Sequence, residues 1–383
     1  MTELETIVAD VERARMSKKT IALATVVGTE GSTYRLPGAR MLIINSEWIA
    51  GSISGGCLED DVVLRAGEAI RNDAAIVITY DTTSDDDIVF GVGLGCRGVI
   101  RILIEPIRLA GQGLDFVGFI KTCQKNRTTG AAATVVHVQG QLDAKPGCRM
   151  VLRADAVEAD FDDNELKAKI KTVLEQRRTR TASLIAVPLE QGSADVFVEL
   201  IEPPTPLVVF GAGHDVMPVV RLAKDLGWHV TIVDHRPAYA VSARFPLADQ
   251  VVLAAPEDVR SQLRLANDTL ALVMTHNYLR DLKLLEILLP SPVRYLGQLG
   301  PRKRTDQLLA ELRQRGIYPE PNQLNRLYAP VGLDIGSESP AEVALSILAE
   351  MQAAITNHRG GFIRERNSPI HSGNTQPLTT GST

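Results

Sequence analysis

The chain has 383 residues, 45% apolar and 23% charged, which at about 150 residues per domain is enough for two or three folded domains. Its net charge of −5 argues against a nucleic-acid polyanion as the main partner. No apolar run reaches the roughly 18 residues of a membrane span, and Met1-Thr2-Glu3-Leu4-Glu5 carries acid where a secretory signal carries base, so a soluble, cytoplasmic protein is expected.

The first element is an amphipathic helix carrying Leu4, Ile7, Val8 and Val11. It leads into Ala24-Thr25-Val26-Val27 and, further on, Pro37-Gly38-Ala39-Arg40-Met41. At an offset of 109 the same text returns as Ala133-Thr134-Val135-Val136 and Pro146-Gly147-Cys148-Arg149-Met150. Nine of twenty positions agree between 24–43 and 133–152 without a gap. A helix with Phe116, Phe119 and Ile120 precedes the second copy. Each copy closes on a β-rich run before proline, Ile100–Glu105 before Pro106 and Phe197–Glu202 before Pro203. Aligned on those prolines the offset is 97, so the second copy has lost 12 residues. Each unit reads helix, strand, turn, strand, helix, strand, strand. The expectation is one α+β domain over 1–204, built from halves 1–110 and 111–204.

The copies differ in their loops. The first carries Gly51-Ser52-Ile53-Ser54-Gly55-Gly56-Cys57-Leu58-Glu59 and Gly91-Val92-Gly93-Leu94-Gly95-Cys96. The second has Asp160-Phe161-Asp162-Asp163-Asn164-Glu165-Leu166 in place of the first stretch and a deletion near the other. Because the twin folds without them, these loops are candidates for function. The four cysteines (Cys57, Cys96, Cys123, Cys148) form no CxxC pair and are too few for a disulfide scaffold. A thiol at a helix start is favoured as a nucleophile or soft ligand; Glu59, Asp60 and Asp61 oppose this at Cys57. The bland alternative for Cys57 and Cys96 is a small buried hydrophobe. Cys123 and Cys148 read as structural. Asp81, Asp85, Asp86 and Asp87 resemble a cation site in composition only and read as a solvated turn.

Pro203-Pro204-Thr205-Pro206 is a stiff linker. Beyond it strands and helices alternate, with strands at Leu207–Phe210, His229–Val233, Gln250–Leu253, Thr269–Met274 and Val293–Leu296. Helices lie at Val216–Leu226, Leu279–Leu289 and Arg302–Arg315, and a late one opens on the capping box Ser339-Pro340-Ala341-Glu342. This predicts a Rossmann-like, doubly wound parallel sheet over 205–366, so the chain as a whole is of the α/β class. Residues 367–383 are expected to be a disordered tail.

Gly211-Ala212-Gly213-His214 follows the first of these strands and Asp234 ends the second. Such glycines let backbone approach a diphosphate at a helix start, and such an acid accepts from ribose hydroxyls. Val216 stands where the third glycine is usual, so a Rossmann shell with another use remains open. Arg236, with His235, is placed to meet a phosphate. Thr275 and His276 face the crevice at the end of the fourth strand; His276 is an acid–base candidate or a structural imidazole. Arg302, Lys303 and Arg304 read as a solvated helix start rather than a phosphate clamp. No triad or metal spacing is present, so no catalytic or metal residues are assigned.

Taken together, Gly31-Ser32, Arg35, Pro37-Gly38-Ala39-Arg40, Ser54–Glu59, Gly93–Cys96, Phe210–His214, Asp234-His235-Arg236, Met274-Thr275-His276 and Pro330–Gly336 resemble the xanthine dehydrogenase accessory factor family, the XdhC/CoxI-type proteins. The resemblance runs to about residue 357. It implies an accessory protein, not a turnover enzyme. Such a protein binds the molybdenum cofactor, supports its sulfuration by a cysteine desulfurase and delivers it to a molybdenum hydroxylase such as xanthine dehydrogenase. Thiolates suit a soft metal centre; glycine-rich backbone with Arg35 or Arg40 suits the cofactor's phosphate. Arg40 has a twin in Arg149, which equally fits a structural role. The cofactor-binding candidates are then Gly55, Gly56, Cys57, Gly95, Cys96, Arg35 and Arg40, joined in the second domain by Gly211, Gly213, His214, Asp234, Arg236, Thr275 and His276. Cys57 and Cys96 are expected to meet at one pocket facing the cleft between the domains. Arg97-Gly98 departs from the family's usual Gly-Gly after the second cysteine. The alternative function is an NAD(P)-dependent oxidoreductase, with NAD(P) or another nucleotide at Gly211, Gly213 and Asp234. A homodimer is expected only as the commonest oligomer.

Overall fold

The computed structural model describes residues 2–81, 98–107, 114–154, 156–177 and 181–365. They fall into two compact units, one over Glu3–Pro203 and one from Pro204 onward. Cys96, Gly95, Arg97, Asp85–Asp87 and the tail 367–383 lie outside the described residues.

The first half of the N-terminal unit comprises α1 (Glu3–Met16), β1 (Ile21–Gly31), β2 (Arg40–Ile44), β3 (Glu47–Gly51), α2 (Glu59–Asn72), β4 (Ile76–Asp81) and β5 (Gly98–Pro106). The second repeats it as α3 (Phe116–Asn126), β6 (Gly130–Gly140), β7 (Arg149–Arg153), β8 (Ala156–Ala159), α4 (Asn164–Gln176), β9 (Ser183–Leu189) and β10 (Gly192–Ile201). The sheets have the equivalent orders β3-β2-β1-β5-β4 and β8-β7-β6-β10-β9, with every pairing antiparallel.

Two details differ from expectation. Each half holds one more strand, β3 or β8, paired antiparallel with β2 or β7. The turn before β3, Asn45-Ser46, has both residues in the left-handed region that a two-residue hairpin requires. The repeat offset is also corrected. Ala24 pairs with Ile104 and its twin Ala133 with Val198, so the closing strands correspond at an offset of 94 and the second copy has lost 15 residues (109 − 94). Aligning on the prolines misleads because Pro106 is the last residue of β5 whereas Pro203 lies beyond the end of β10.

The halves join through twins. A bulge in β1 at Val26/Gly28 and its counterpart in β6 turn Val27 and Val136 into a small core with Leu103 and Phe197, equivalents at offsets 109 and 94. Around it, α1 and α3 bury Ile7, Val8, Val11, Phe116, Val117 and Ile120 in a shared cluster. Each half keeps its own core beneath α2 or α4.

The C-terminal unit contains β11 (Pro206–Phe210), α5 (Val216–Asp225), β12 (His229–Asp234), β13 (Gln250–Leu253), α6 (Val259–Gln262), β14 (Leu270–Val273), α7 (Tyr278–Leu288), β15 (Tyr295–Gln298), α8 (Arg302–Gln314), α9 (Pro321–Leu324), β16 (Leu327–Tyr328) and α10 (Pro340–Ile355). Its sheet is parallel throughout in the order β13-β12-β11-β14-β15-β16, the doubly wound arrangement whose crevice opens beside β11 and β14. Apolar layers cover both faces, as a buried parallel sheet requires. The capping box at Ser339 and Glu342 forms as the sequence indicates. Among the described residues no helix is long and apolar enough to cross a membrane.

Candidate functional site

Between β3 and α2 the chain folds around one buried carboxylate. Glu59 accepts from the N–H groups of Ile53 (3.3 Å), Ser54 (2.9 Å) and Leu58 (3.2 Å) and from the Ser54 hydroxyl. Ser54 Oγ in turn accepts from Gly56 N (3.3 Å), Cys57 N (3.1 Å) and Leu58 N (3.2 Å). Glu59 is only 1% exposed. Burial alone would raise its pKa, but bonds from the Ser54 hydroxyl and from backbone N–H groups outweigh that and hold it below the usual carboxylate range. Gly56 sits at φ +107°, open to glycine at no steric cost. The chain leaves this knot with Cys57 exposed.

Other elements converge on the loop. A Cβ at Gly55 would meet the Tyr34 ring at 3.7 Å. Gly98, the first described residue after the Cys96 segment, pairs with Gly31, and a Cβ there would stand 2.6 Å from Ser32 O and 2.7 Å from Glu30 O. Glycine is required by that close approach. Arg35 pairs with Glu3 at 2.7 Å and is 31% exposed.

Arg40 lies elsewhere. Its guanidinium is buried between the halves, bonded to Glu199 and to Gly38 O (3.0 Å). Its twin Arg149 holds Glu105 through two bonds of 2.9 and 3.2 Å and Thr134 at 2.9 Å. Phe116 lies between them, its ring centroid 5.4 Å from Arg40 and 4.0 Å from Arg149. The ion pairs are exchanged across the two-fold repeat, arginine of one half to glutamate of the other. This gives Arg40 the structural role its twin suggests, not a place where a phosphate arrives. Of the remaining cysteines Cys123 is buried, and burial raises its pKa.

In the C-terminal unit Gly211 turns at φ +121°, where a Cβ would strike Met274 O at 2.3 Å. Asp234 is directed inward. Its carboxylate accepts from Ala212 N (2.9 Å), Arg236 N (2.9 Å), Arg236 Nε (2.9 Å) and Arg236 Nη2 (2.7 Å). Burial works against its charge, but these bonds prevail and its pKa is lowered. The acid expected to meet a ribose thus ties the glycine turn to Arg236, which also stacks on Tyr239 at 3.7 Å.

His214 is exposed, and a Cβ at Gly213 would stand 2.4 Å from the carboxylate of Asp215, which meets His276 Nε2 at 2.7 Å. His276 holds φ +56°, uncommon for a side chain of that size. Thr275 bonds to Asp281, an acid 1% exposed that also receives Gln298 (3.1 Å) and Arg304 (2.6 Å). Arg304 is therefore an internal partner and not a solvated helix start. Gly211, Asp234, His235, Thr275 and Arg280 line a half-open pocket at the carboxyl ends of β11, β12 and β14.

The sequence shows Glu59 and Ser54 only as letters of a motif, and Asp215 and Asp281 not at all. The local signal for Asp281 was its position in the first turn after a strand end, which by itself marks many solvated acids.

The model of the XdhC and CoxI family matches residues 14–81, and that of the XdhC Rossmann domain matches 207–351. A Bacillus subtilis (strain 168) protein, named as a probable xanthine dehydrogenase subunit, is 33% identical over 350 residues, 91% of this chain and 96% of that protein. The chain belongs to the XdhC and CoxI family. It is also similar to the molybdenum cofactor insertion chaperone PaoD of Escherichia coli (strain K12), at 22% identity over 90% of this chain and 86% of that one. A crystal structure described as a xanthine dehydrogenase from Bacillus halodurans superposes with a TM-score of 0.74 at 26% identity, covering 96% and 98% of the two chains. The XdhC and CoxI match contains the whole Ser54–Glu59 knot, and the Rossmann match contains the Gly211 turn, Asp234 and His276.

Proposed function

We propose that this chain binds the molybdenum cofactor at the Cys57 loop, holds it for sulfuration by a cysteine desulfurase and hands it to a molybdenum hydroxylase of the xanthine dehydrogenase type. The observation that carries this reading is an exposed thiol on a tightly bonded loop that one repeat has and its twin lacks. A thiolate is a soft donor suited to a metal–dithiolene centre. The relative named for molybdenum cofactor insertion and the one named for xanthine dehydrogenase point to the same cargo and recipient.

Cys96 is the second proposed ligand. Gly98, two residues after it, packs on Ser32 and Thr33, and the next residue, Tyr34, covers Gly55. Arg35 follows Tyr34 and is the cation proposed to meet the cofactor's phosphate. The protein acts as a carrier, and its Rossmann unit does not turn over a nicotinamide. In support, Asp234 already holds four hydrogen bonds from its own unit.

Incubation of the purified protein with a molybdenum cofactor source, followed by assay of bound pterin and molybdenum, tests the proposal. Retention of both in about equal amounts is expected. Failure to bind in either redox state would overturn it, as would tight nicotinamide nucleotide binding with substrate-dependent hydride transfer.

A further inference from the structure

The twin repeats contain their own control for the Cys57 loop. Both halves pass from a strand to a helix at the same place, β3 to α2 and β8 to α4. The second half starts its helix simply: Asp163 caps α4 by accepting from Leu166 N at 2.9 Å. The first half has Leu58 at the cap, with no side-chain cap bond. It uses instead a buried carboxylate and a buried hydroxyl that together receive the N–H groups of Ile53, Ser54, Gly56, Cys57 and Leu58. Starting a helix needs no such device, as α4 shows, and burying an anion is costly unless it is fully bonded. What the device adds is a fixed backbone from Ser54 to Leu58.

We propose that Ser54 and Glu59 are positioning residues for the Cys57 thiol, and that they fill from within the anion-accepting helix start that a ligand phosphate would otherwise use. This rests on the reading of Cys57 as the cargo's ligand and adds to it a division of labour. Donors at a helix start normally face outward and attract anions. Here the N–H groups of Gly56, Cys57 and Leu58 all turn inward to Ser54 Oγ, whose own proton goes to Glu59. The loop therefore offers its ligand sulfur and not backbone N–H. Glu59 acts through Ser54, and Ser54 acts through the Cys57 amide.

The test uses the full chain with Ser54→Ala, Ser54→Thr, Glu59→Gln and Cys57→Ala. Amide hydrogen exchange at Gly56–Leu58 reads the bonds, cofactor affinity reads the positioning, and thermal unfolding confirms that each variant is folded. Ser54→Ala and Glu59→Gln should each lose about tenfold in exchange protection and about tenfold in cofactor affinity, the effect of losing a site hydrogen bond or two. Ser54→Thr, which keeps the hydroxyl, should retain both. Wild-type affinity in Ser54→Ala and Glu59→Gln, with Cys57→Ala not binding, would overturn the positioning role and leave the cargo reading standing. An equal loss in Ser54→Thr and Ser54→Ala would assign the effect to packing and also overturn it. Wild-type affinity in Cys57→Ala would instead defeat the cargo reading itself.

Discussion

The exchanged ion pairs make a prediction whose size follows from burial. Glu105 and Arg149 have side chains 9% and 6% exposed, and Glu199 and Arg40 are 6% exposed each. Removing one partner strands a buried charge, which costs about 3–5 kcal/mol, whereas replacing both by apolar groups of similar volume costs little. Glu105→Leu and Arg149→Met should therefore each destabilise the N-terminal unit by about 3 kcal/mol. The double variant Arg149→Met/Glu105→Leu should lose only about 1–2 kcal/mol, the part due to Thr134 losing its bond from Arg149. Additivity of the singles would put the double near 6 kcal/mol. The coupling is thus several kcal/mol, well outside the error of a double-mutant cycle. The chain has two tryptophans, Trp48 in this unit and Trp228 in the other. In a Trp228→Phe background, denaturant unfolding followed by Trp48 fluorescence reports the N-terminal unit alone. A single substitution costing under about 1 kcal/mol, or a double that equals the sum of its singles, would refute the reasoning.

Two further outcomes follow from the same geometry. Gly56→Ala must hold φ +107° and should cost about 1–2 kcal/mol, whereas Gly55→Ala meets the Tyr34 ring at ordinary contact and should change stability by under about 0.5 kcal/mol; Trp48 unfolding compares them. Because the folded pKa of Asp234 is lowered, its contribution is full above the unfolded value near 3.9 and is lost as pH falls below about 4. Trp228 unfolding at a series of pH values should show that loss. Asp234→Asn should flatten part of it, the remainder belonging to the unit's other lowered carboxylates: Asp249, where burial is outweighed by bonds from Lys224 and Val230 N, and Glu257, Glu311 and Glu342. An unchanged acid slope in Asp234→Asn would count against the inward role of this carboxylate.

What the sequence revealed, and what it hid, divides by range. The repeat was legible because twin strands need the same alternation and the same Pro-Gly turn, and the Rossmann unit because β-branched runs and capped helices alternate locally. The strand β3 was missed because Asn45-Ser46 reaches the left-handed region without the glycine that usually signals it. A strand of two residues, β16, has too little pattern to read. At the site, comparison of the twins was enough to single out the Cys57 loop. The partner of Arg40 is 159 residues away, and no local spacing announces such a pair. Nor does a fingerprint acid such as Asp234 declare whether it faces a ligand or its own turn; only the Ala212 and Arg236 bonds decide that.

Transfer of molybdenum cofactor to an apo-hydroxylase by Cys57→Ala and Cys123→Ala, measured beside thermal unfolding, addresses the central claim most directly. Cys57 is exposed on a loop, so its alanine variant should unfold within about 0.5 kcal/mol of wild type yet lose cofactor binding and delivery. Cys123 is a buried residue of α3 in the core shared with α1, so its variant should lose about 1–2 kcal/mol of stability and still deliver the cofactor. The reverse pattern, a destabilised Cys57→Ala protein that binds and transfers normally, would contradict the account.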